Sequence, residues 1–302
     1  MTVMPIRRGE FHFRLTVAVA GAISLSQLAA IAQDRNAFQA AAIKAFGAVE
    51  TEEQSDFGLV RVRKKGSIRT MLFVQPSGKE VGETMLNLRK PQELMIPYTQ
   101  TMFASLLFQP RQSRVLIVGV GGGAMVHFLK HHLPDTKVDA VEIDPTVVKF
   151  ADEYFETRTA GNIRVITADG LKFIEQITEP YDAIYMDAFL KPSAETDTTG
   201  RPLTLKTIEF YRRLQQILTD DGVVAFNINL HAEVQADIAT LREAFPQLYL
   251  FRISSNEEVV AIATRGSTRV PLSSLRRTAR AADRQYRKNF SFQAMLKSLV
   301  TK

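Results

Sequence analysis

Three acids stand at matching places along the middle of this 302-residue chain. Glu142, Asp169 and Asp187 each close a short, mostly apolar run: VDAVE, IRVITAD and YDAIYMD. Such runs suit strands, and acids at the carboxyl ends of successive strands in an open α/β sheet converge on one cleft. Upstream, Gly119, Gly121 and Gly123 fall within GVGGGA, directly after VLIV. Glycine lets the chain turn sharply and lets backbone approach a ligand with no Cβ between them. Glu142 lies 21 residues beyond Gly121, near the spacing at which an acid on the second strand reaches a ribose diol. A carboxylate suits that place because both ribose hydroxyls can donate to it. The pattern predicts a nucleotide cleft; the alternative is a tight strand-to-helix turn with no ligand.

The elements that must position these residues alternate. Val115–Val118 reads as a buried parallel strand, Met125–His132 as a helix stopped by Pro134, and Val138–Ile143 as the next strand. A helix over Thr146–Phe155 leads to a strand over Ile163–Ala168, ending in Asp169-Gly170. A helix over Lys172–Ile177 leads to a strand over Tyr181–Met186, ending in Asp187. A polar loop over 190–202 precedes a helix over Leu205–Leu218, a strand over Gly222–Ile228 and a helix over Ala232–Ala244. Tyr249–Ile253 and Val259–Thr264 close the series as a hairpin. The expectation is a seven-stranded, Rossmann-like α/β sheet over 111–266.

Residues 33–110 are expected to hold a linker over 33–54, a hairpin and a helix. The hairpin joins Phe57–Arg63 to Ile68–Gln75 through Lys64-Lys65-Gly66-Ser67. Pro91 opens the expected helix, which runs to Leu107 with Leu94, Tyr98, Met102 and Leu106 on one face.

Composition is that of a globular chain, 45% hydrophobic and 23% charged, with net charge +6 concentrated at the two ends. There is no cysteine, which excludes disulfides, thiolate zinc sites and cysteine nucleophiles. His127 and His131 are four apart on a helix but lack a third ligand in the sequence nearby, so a surface pair and no metal is expected. Arg7, Arg8 and Arg14 precede a charge-free stretch, Leu15–Ala32, ending in Ala30-Ile31-Ala32. That order predicts a signal peptide or uncleaved anchor over 1–32, hence an exported or membrane-anchored protein; a cytoplasmic protein with an apolar N-terminal helix is the alternative. The tail, 267–302, is basic, with Arg276, Arg277, Arg280, Arg284, Arg287 and Lys288 beside a stripe of Leu272, Leu275, Ala279, Ala282 and Tyr286. The stripe predicts a docked helix with a solvated basic face; contact with an anionic membrane is the sharper reading.

The series VLIVGVGGG, VEIDP, ADG, YDAIYMDAF and EFYRRLQQILTDDGVVAFN resembles the spermidine synthase superfamily over about residues 55–265. The resemblance implies a class I methyltransferase fold and a sulfonium donor, S-adenosylmethionine or its decarboxylated form, with no metal. It implies that the donor lies against Gly119, Gly121, Gly123, Glu142 on the ribose, and Asp169-Gly170 at the adenine. Asp187 would be the catalytic acid-base and Tyr98 its companion. The chain departs from the pattern at Thr99, Gln100, Gly122 and Leu190, where the resembled enzymes carry polar or acidic groups. A polyamine is a polycation that needs carboxylates in a buried cleft, so methyl transfer to an amine on a small molecule or protein is favoured over aminopropyl transfer. Glu195 and Asp197 are the candidates to replace the lost acids, against a reading as an exposed turn. No nucleic acid partner is expected; a homodimer is compatible with this reading. Two other classes share these residues: an NAD-dependent oxidoreductase, through Gly119, Gly121, Ala124 and Glu142, and a non-catalytic nucleotide-binding module.

Overall fold

The structure is a computed structural model that describes residues 39–190, 192–253, 258–286 and 290–300. The expected signal or anchor over 1–32 lies outside them, as do Arg287 and Lys288. Among the described residues no helix is long and apolar enough to cross a membrane.

A helix over 39–46 (α1) precedes a four-stranded antiparallel meander. Its strands are β1 (Ala48–Gln54), β2 (Leu59–Lys65), β3 (Ile68–Val74) and β4 (Glu80–Asn87). The expected hairpin is β2–β3; β1 and β4 were not expected. β1, AVETEEQ, has no apolar alternation to announce it. Its acids meet basic partners across the strands instead: Glu52 is hydrogen-bonded to Arg61, and Glu50 accepts from Arg69 at 2.6 and 2.7 Å. In β4, Gly82 breaks the pattern, and the ladder slips there: Met71 faces Thr84 and Leu72 faces Gly82, so Glu83 is the extra residue of a β-bulge.

The expected helix from Pro91 does not form. Pro97 disfavours helical geometry at Ile96, which is extended. The helix α2 therefore spans only Pro97–Met102 and tightens into a 3-10 turn over Phe103–Leu107.

From Arg114 the chain follows the expected alternation: β5 (Arg114–Val118), α3 (Ala124–His132), β6 (Lys137–Glu142), α4 (Pro145–Phe155), β7 (Ile163–Thr167), α5 (Gly170–Glu175) and β8 (Tyr181–Met186). Next come α6 (Ile208–Gln216), β9 (Leu218–Asn229), α7 (Val234–Ala244), β10 (Gln247–Ile253) and β11 (Glu258–Thr264). The helix expected over Leu205–Leu218 starts later, because the Thr207 hydroxyl caps it by accepting the Phe210 N–H at 3.2 Å. The seven strands run in the order β10-β11-β9-β8-β5-β6-β7, with β11 antiparallel to both neighbours. Two apolar layers cover the sheet. One packs α3, α4 and the N-terminal sheet on one face; the other packs α5, α6 and α7 on the opposite face.

The tail closes back on the domain. In α8 (Leu272–Gln285), Leu275, Ala279 and Ala282 are buried, as is Tyr286 just beyond, while Leu272 is 37% exposed and takes no part in the seam. Asp283 accepts the Phe292 N–H at 2.6 Å and starts α9 (Phe292–Met295). The Val300 N–H then donates to Leu250, covering part of the β10 edge. Arg276, Arg277, Arg280 and Arg284 remain exposed.

Candidate active site

β6 and β7 lie to one side of β5, and β8 lies to the other. At this reversal the helices that follow β5 and β8 pack on opposite faces of the sheet, which opens the kind of crevice in which open α/β sheets bind ligands. A cavity of ≈ 590 Å³ opens there. Gly119, Gly121, Glu142, Asp169, Gly170, Asp187 and Tyr98 all line it.

Gly119 has φ 91°, and a Cβ there would stand 2.1 Å from the Asp187 carbonyl oxygen, so glycine is what lets β5 and β8 lie this close at the mouth. Glu142 accepts from the Val120 N–H at 2.9 Å and the Asp144 N–H at 3.1 Å. Those bonds fix its carboxylate at the cleft wall and leave lone pairs for a ligand. Burial raises its pKa, against the pull of the Val120, Asp144 and Gly121 N–H groups. Asp169 caps α5 by accepting the Leu171 N–H at 2.9 Å, and Gly170 packs against Val118. These groups fit an adenosyl ligand: a fixed acceptor for a diol beside a glycine turn. Glu142→Ala should weaken adenosyl binding by about 1–3 kcal/mol, the cost of losing a charged acceptor; unchanged affinity in calorimetry would place the ribose elsewhere.

Asp187 follows β8 and is held from two sides. The Tyr98 hydroxyl, on α2, donates to its Oδ2 at 3.1 Å, and Asn227 Nδ2, on β9, donates to its Oδ1 at 2.9 Å. Burial pushes Asp187 up to about 7, the Asn227 and Tyr98 bonds pull it down, and the Glu258 and Glu142 carboxylates add to the rise. Burial, then the Asp187 and Glu83 carboxylates, raises Tyr98 well above the usual tyrosine range. Tyr98 therefore stays a donor. Asn227 was not singled out from the sequence, although an amide inside the buried run VVAFNIN is a signal for it. Glu83 was missed with its strand. The bulge in β4 turns it into the same cleft.

Other expected residues lie elsewhere. Gly123 is not among the lining residues; with φ 81° it precedes α3 and packs on Thr157. Gly122 does not line the cleft either, since a Cβ there would meet the Phe155 ring at 2.7 Å. Thr99 and Gln100 bond the carbonyls of Ile96 and Leu94. Leu190 and Glu195 do line the cavity, but Asp197 does not. Asp197 knots the loop, accepting from Lys206 at 2.8 Å and from the Thr199 hydroxyl at 2.6 Å. Burial opposes its ionisation, yet Lys206 and Thr199 hold it down to about 2. Asp197, His231 and Asp237 lie close enough together to share an ion, but the Lys206 ammonium bridges the two acids at 2.8 and 2.6 Å and supplies the positive charge. His127 is no surface residue. It is buried, with Nε2 2.8 Å from the Phe155 carbonyl, and burial lowers its pKa.

Residues 96–263, more than half of the chain, match the family described as Spermine/spermidine synthase domain. A polyamine aminopropyltransferase of Vibrio vulnificus is 30% identical over 220 residues, 70% of this chain and 71% of that protein. An eEF1A lysine and N-terminal methyltransferase of Mus musculus is 33% identical over 145 residues, 46% of this chain but 21% of that protein. The solved structure of human methyltransferase-like protein 13 in complex with SAH superposes with a TM-score of 0.60 at 26% identity, covering 65% of this chain and 95% of that one. The chain belongs to the spermine/spermidine synthase family, with a Rossmann-like class I methyltransferase fold. It is a spermidine-synthase-like transferase.

Proposed function

We propose that this protein alkylates an amine with an S-adenosyl sulfonium donor, Asp187 taking the amine's proton. The observation that carries the reading is Asp187, held by Tyr98 and Asn227, in one cleft with Glu142. The donor, when bound, supplies an electrophilic carbon on a positively charged sulfur. Glu142 would hold the ribose, and Asp169 would stand at the adenine. Asp187 would take the proton that an ammonium must lose before its nitrogen can attack. Tyr98 and Asn227 orient that carboxylate, so that rate comes from alignment as well as from the base.

Methyl transfer is the reading supported by Leu190, which puts an apolar side chain in the cleft where the resembled enzymes carry an acid. Aminopropyl transfer is the second reading, and Glu83 favours it by returning a carboxylate to the cleft. Supplying putrescine with each donor separates them by product: S-adenosylhomocysteine marks the first, 5′-methylthioadenosine with spermidine the second. Formation of neither product from these and from lysine-containing protein acceptors would count against the reaction itself.

Export is proposed on the arginines Arg7, Arg8 and Arg14, the charge-free stretch Leu15–Ala32 that follows them, and Ala30-Ile31-Ala32 at its end. N-terminal sequencing of the protein from its native host should begin at Gln33. An intact Met1 on soluble protein would remove that proposal without touching the site.

A further inference from the structure

Glu83 has no role in the proton transfer assigned to Asp187, yet its placement is unusual. It occupies the bulge in β4, where the ladder skips it; bulges re-aim side chains beside active sites. The next residue anchors the strand, since the Thr84 hydroxyl accepts the Gly122 N–H at 2.9 Å. Glu83 lines the main cavity together with Asp187 and Glu142, and a small adjoining one together with Asp187 and Tyr98. Its carboxyl makes no hydrogen bond or ion pair among the described residues. Among the described residues, no lysine, arginine or histidine lines this cavity or the two that adjoin it. A carboxyl that faces other acids, with no described basic residue lining the cavity, needs a cation from outside or a proton.

We propose that Glu83 reads the donor's positive charge: with Asp187 it forms a carboxyl pair that gives up a proton to solvent when a sulfonium nucleoside enters, so the cleft holds the charged donor and releases the neutral thioether product. This rests on the reading of the cleft as a sulfonium-nucleoside site. Its place fits, because Glu83 faces both Glu142, expected at the ribose, and Asp187, expected at the reacting carbon; the sulfur lies between those two ends of the donor. The titratable groups facing the pair are Glu142 at the end of β6, Tyr98 on α2 and Glu258 on β11. Burial, then the Asp187 and Glu142 carboxylates, raises Glu83 to about 8, and burial raises Asp187 to about 7. Both groups are raised carboxyls, so below these values they carry protons and the pair is neutral. A cation favours the ionised form, so its affinity rises with pH up to about 8 and then levels. A thioether gains nothing from the ionisation.

The test uses two ligands that differ only in charge at sulfur, 5′-deoxy-5′-(dimethylsulfonio)adenosine and 5′-methylthioadenosine. Calorimetry of the full chain should show the sulfonium binding at least about tenfold tighter near about pH 8.5 than near about pH 6, with the thioether changing less than about twofold. In Glu83→Gln the sulfonium should lose most of that pH dependence and most of its advantage over the thioether. Equal pH dependence for both ligands in the wild-type protein would overturn the proposal, and so would a Glu83→Gln protein that keeps the wild-type sulfonium preference. In either case, binding of the thioether leaves the nucleoside site standing. Binding of neither ligand at any pH would remove both.

Discussion

Asp187→Asn should lower turnover by about 10²–10⁴-fold, the usual contribution of a positioned general base. Affinity for the neutral thioether product should stay within about threefold, because Glu142 and the glycine turn are untouched. The amide keeps the size of the carboxyl and removes its ability to take a proton. The pH profile carries the same claim. In the free protein Asp187 is raised to about 7, so its ionised fraction, and with it kcat/KM, should fall about tenfold per unit below that value. A variant retaining more than about a tenth of wild-type turnover would move the base to another group, with Glu83 the first to examine.

Glu80→Ala should cost about 3–5 kcal/mol of stability, the range for removing one partner from a buried ion pair. Glu80 accepts from Arg63 Nε and Nη2, both at 2.7 Å, and also bonds Arg61; the Arg63 and Glu80 side chains are 1% and 3% exposed. Without Glu80, the Arg63 guanidinium keeps one bond, to the Gly47 carbonyl at 2.8 Å. Denaturant unfolding measures the loss. Because Glu80 stands three residues before Glu83 on β4, the same substitution should also reduce the sulfonium preference in whatever protein stays folded. A loss below about 1 kcal/mol would show that β4 is held by its ladder rather than by this pair.

The side of the cleft built by β5 to β8 was legible in the sequence because local pattern determines it. Buried parallel strands write continuous apolar runs, and Glu142, Asp169 and Asp187 stand where those runs stop. The side built by β4 was not, because tertiary pairing determines it. β1 exists through charges matched to β2 and β3, and a period-two reading of AVETEEQ has nothing to find. Glu83 reaches the cleft only because the β3–β4 register slips by one residue, and a slip leaves no mark in composition. Gly122, inside the glycine turn, stands where the resembled enzymes carry an acid, and a Cβ there would meet the Phe155 ring rather than the cleft. Asp197 had the charge to serve the cleft but spends it on Lys206.

One calorimetric titration of the full chain with S-adenosylmethionine, its decarboxylated form and NAD tests the assignment of the cleft most directly. At least one sulfonium donor should bind with one-to-one stoichiometry, weakened by Glu142→Ala, and NAD should give no heat of binding. Binding of NAD with neither sulfonium donor taken up would contradict the assignment of the cleft and return the chain to the oxidoreductase class.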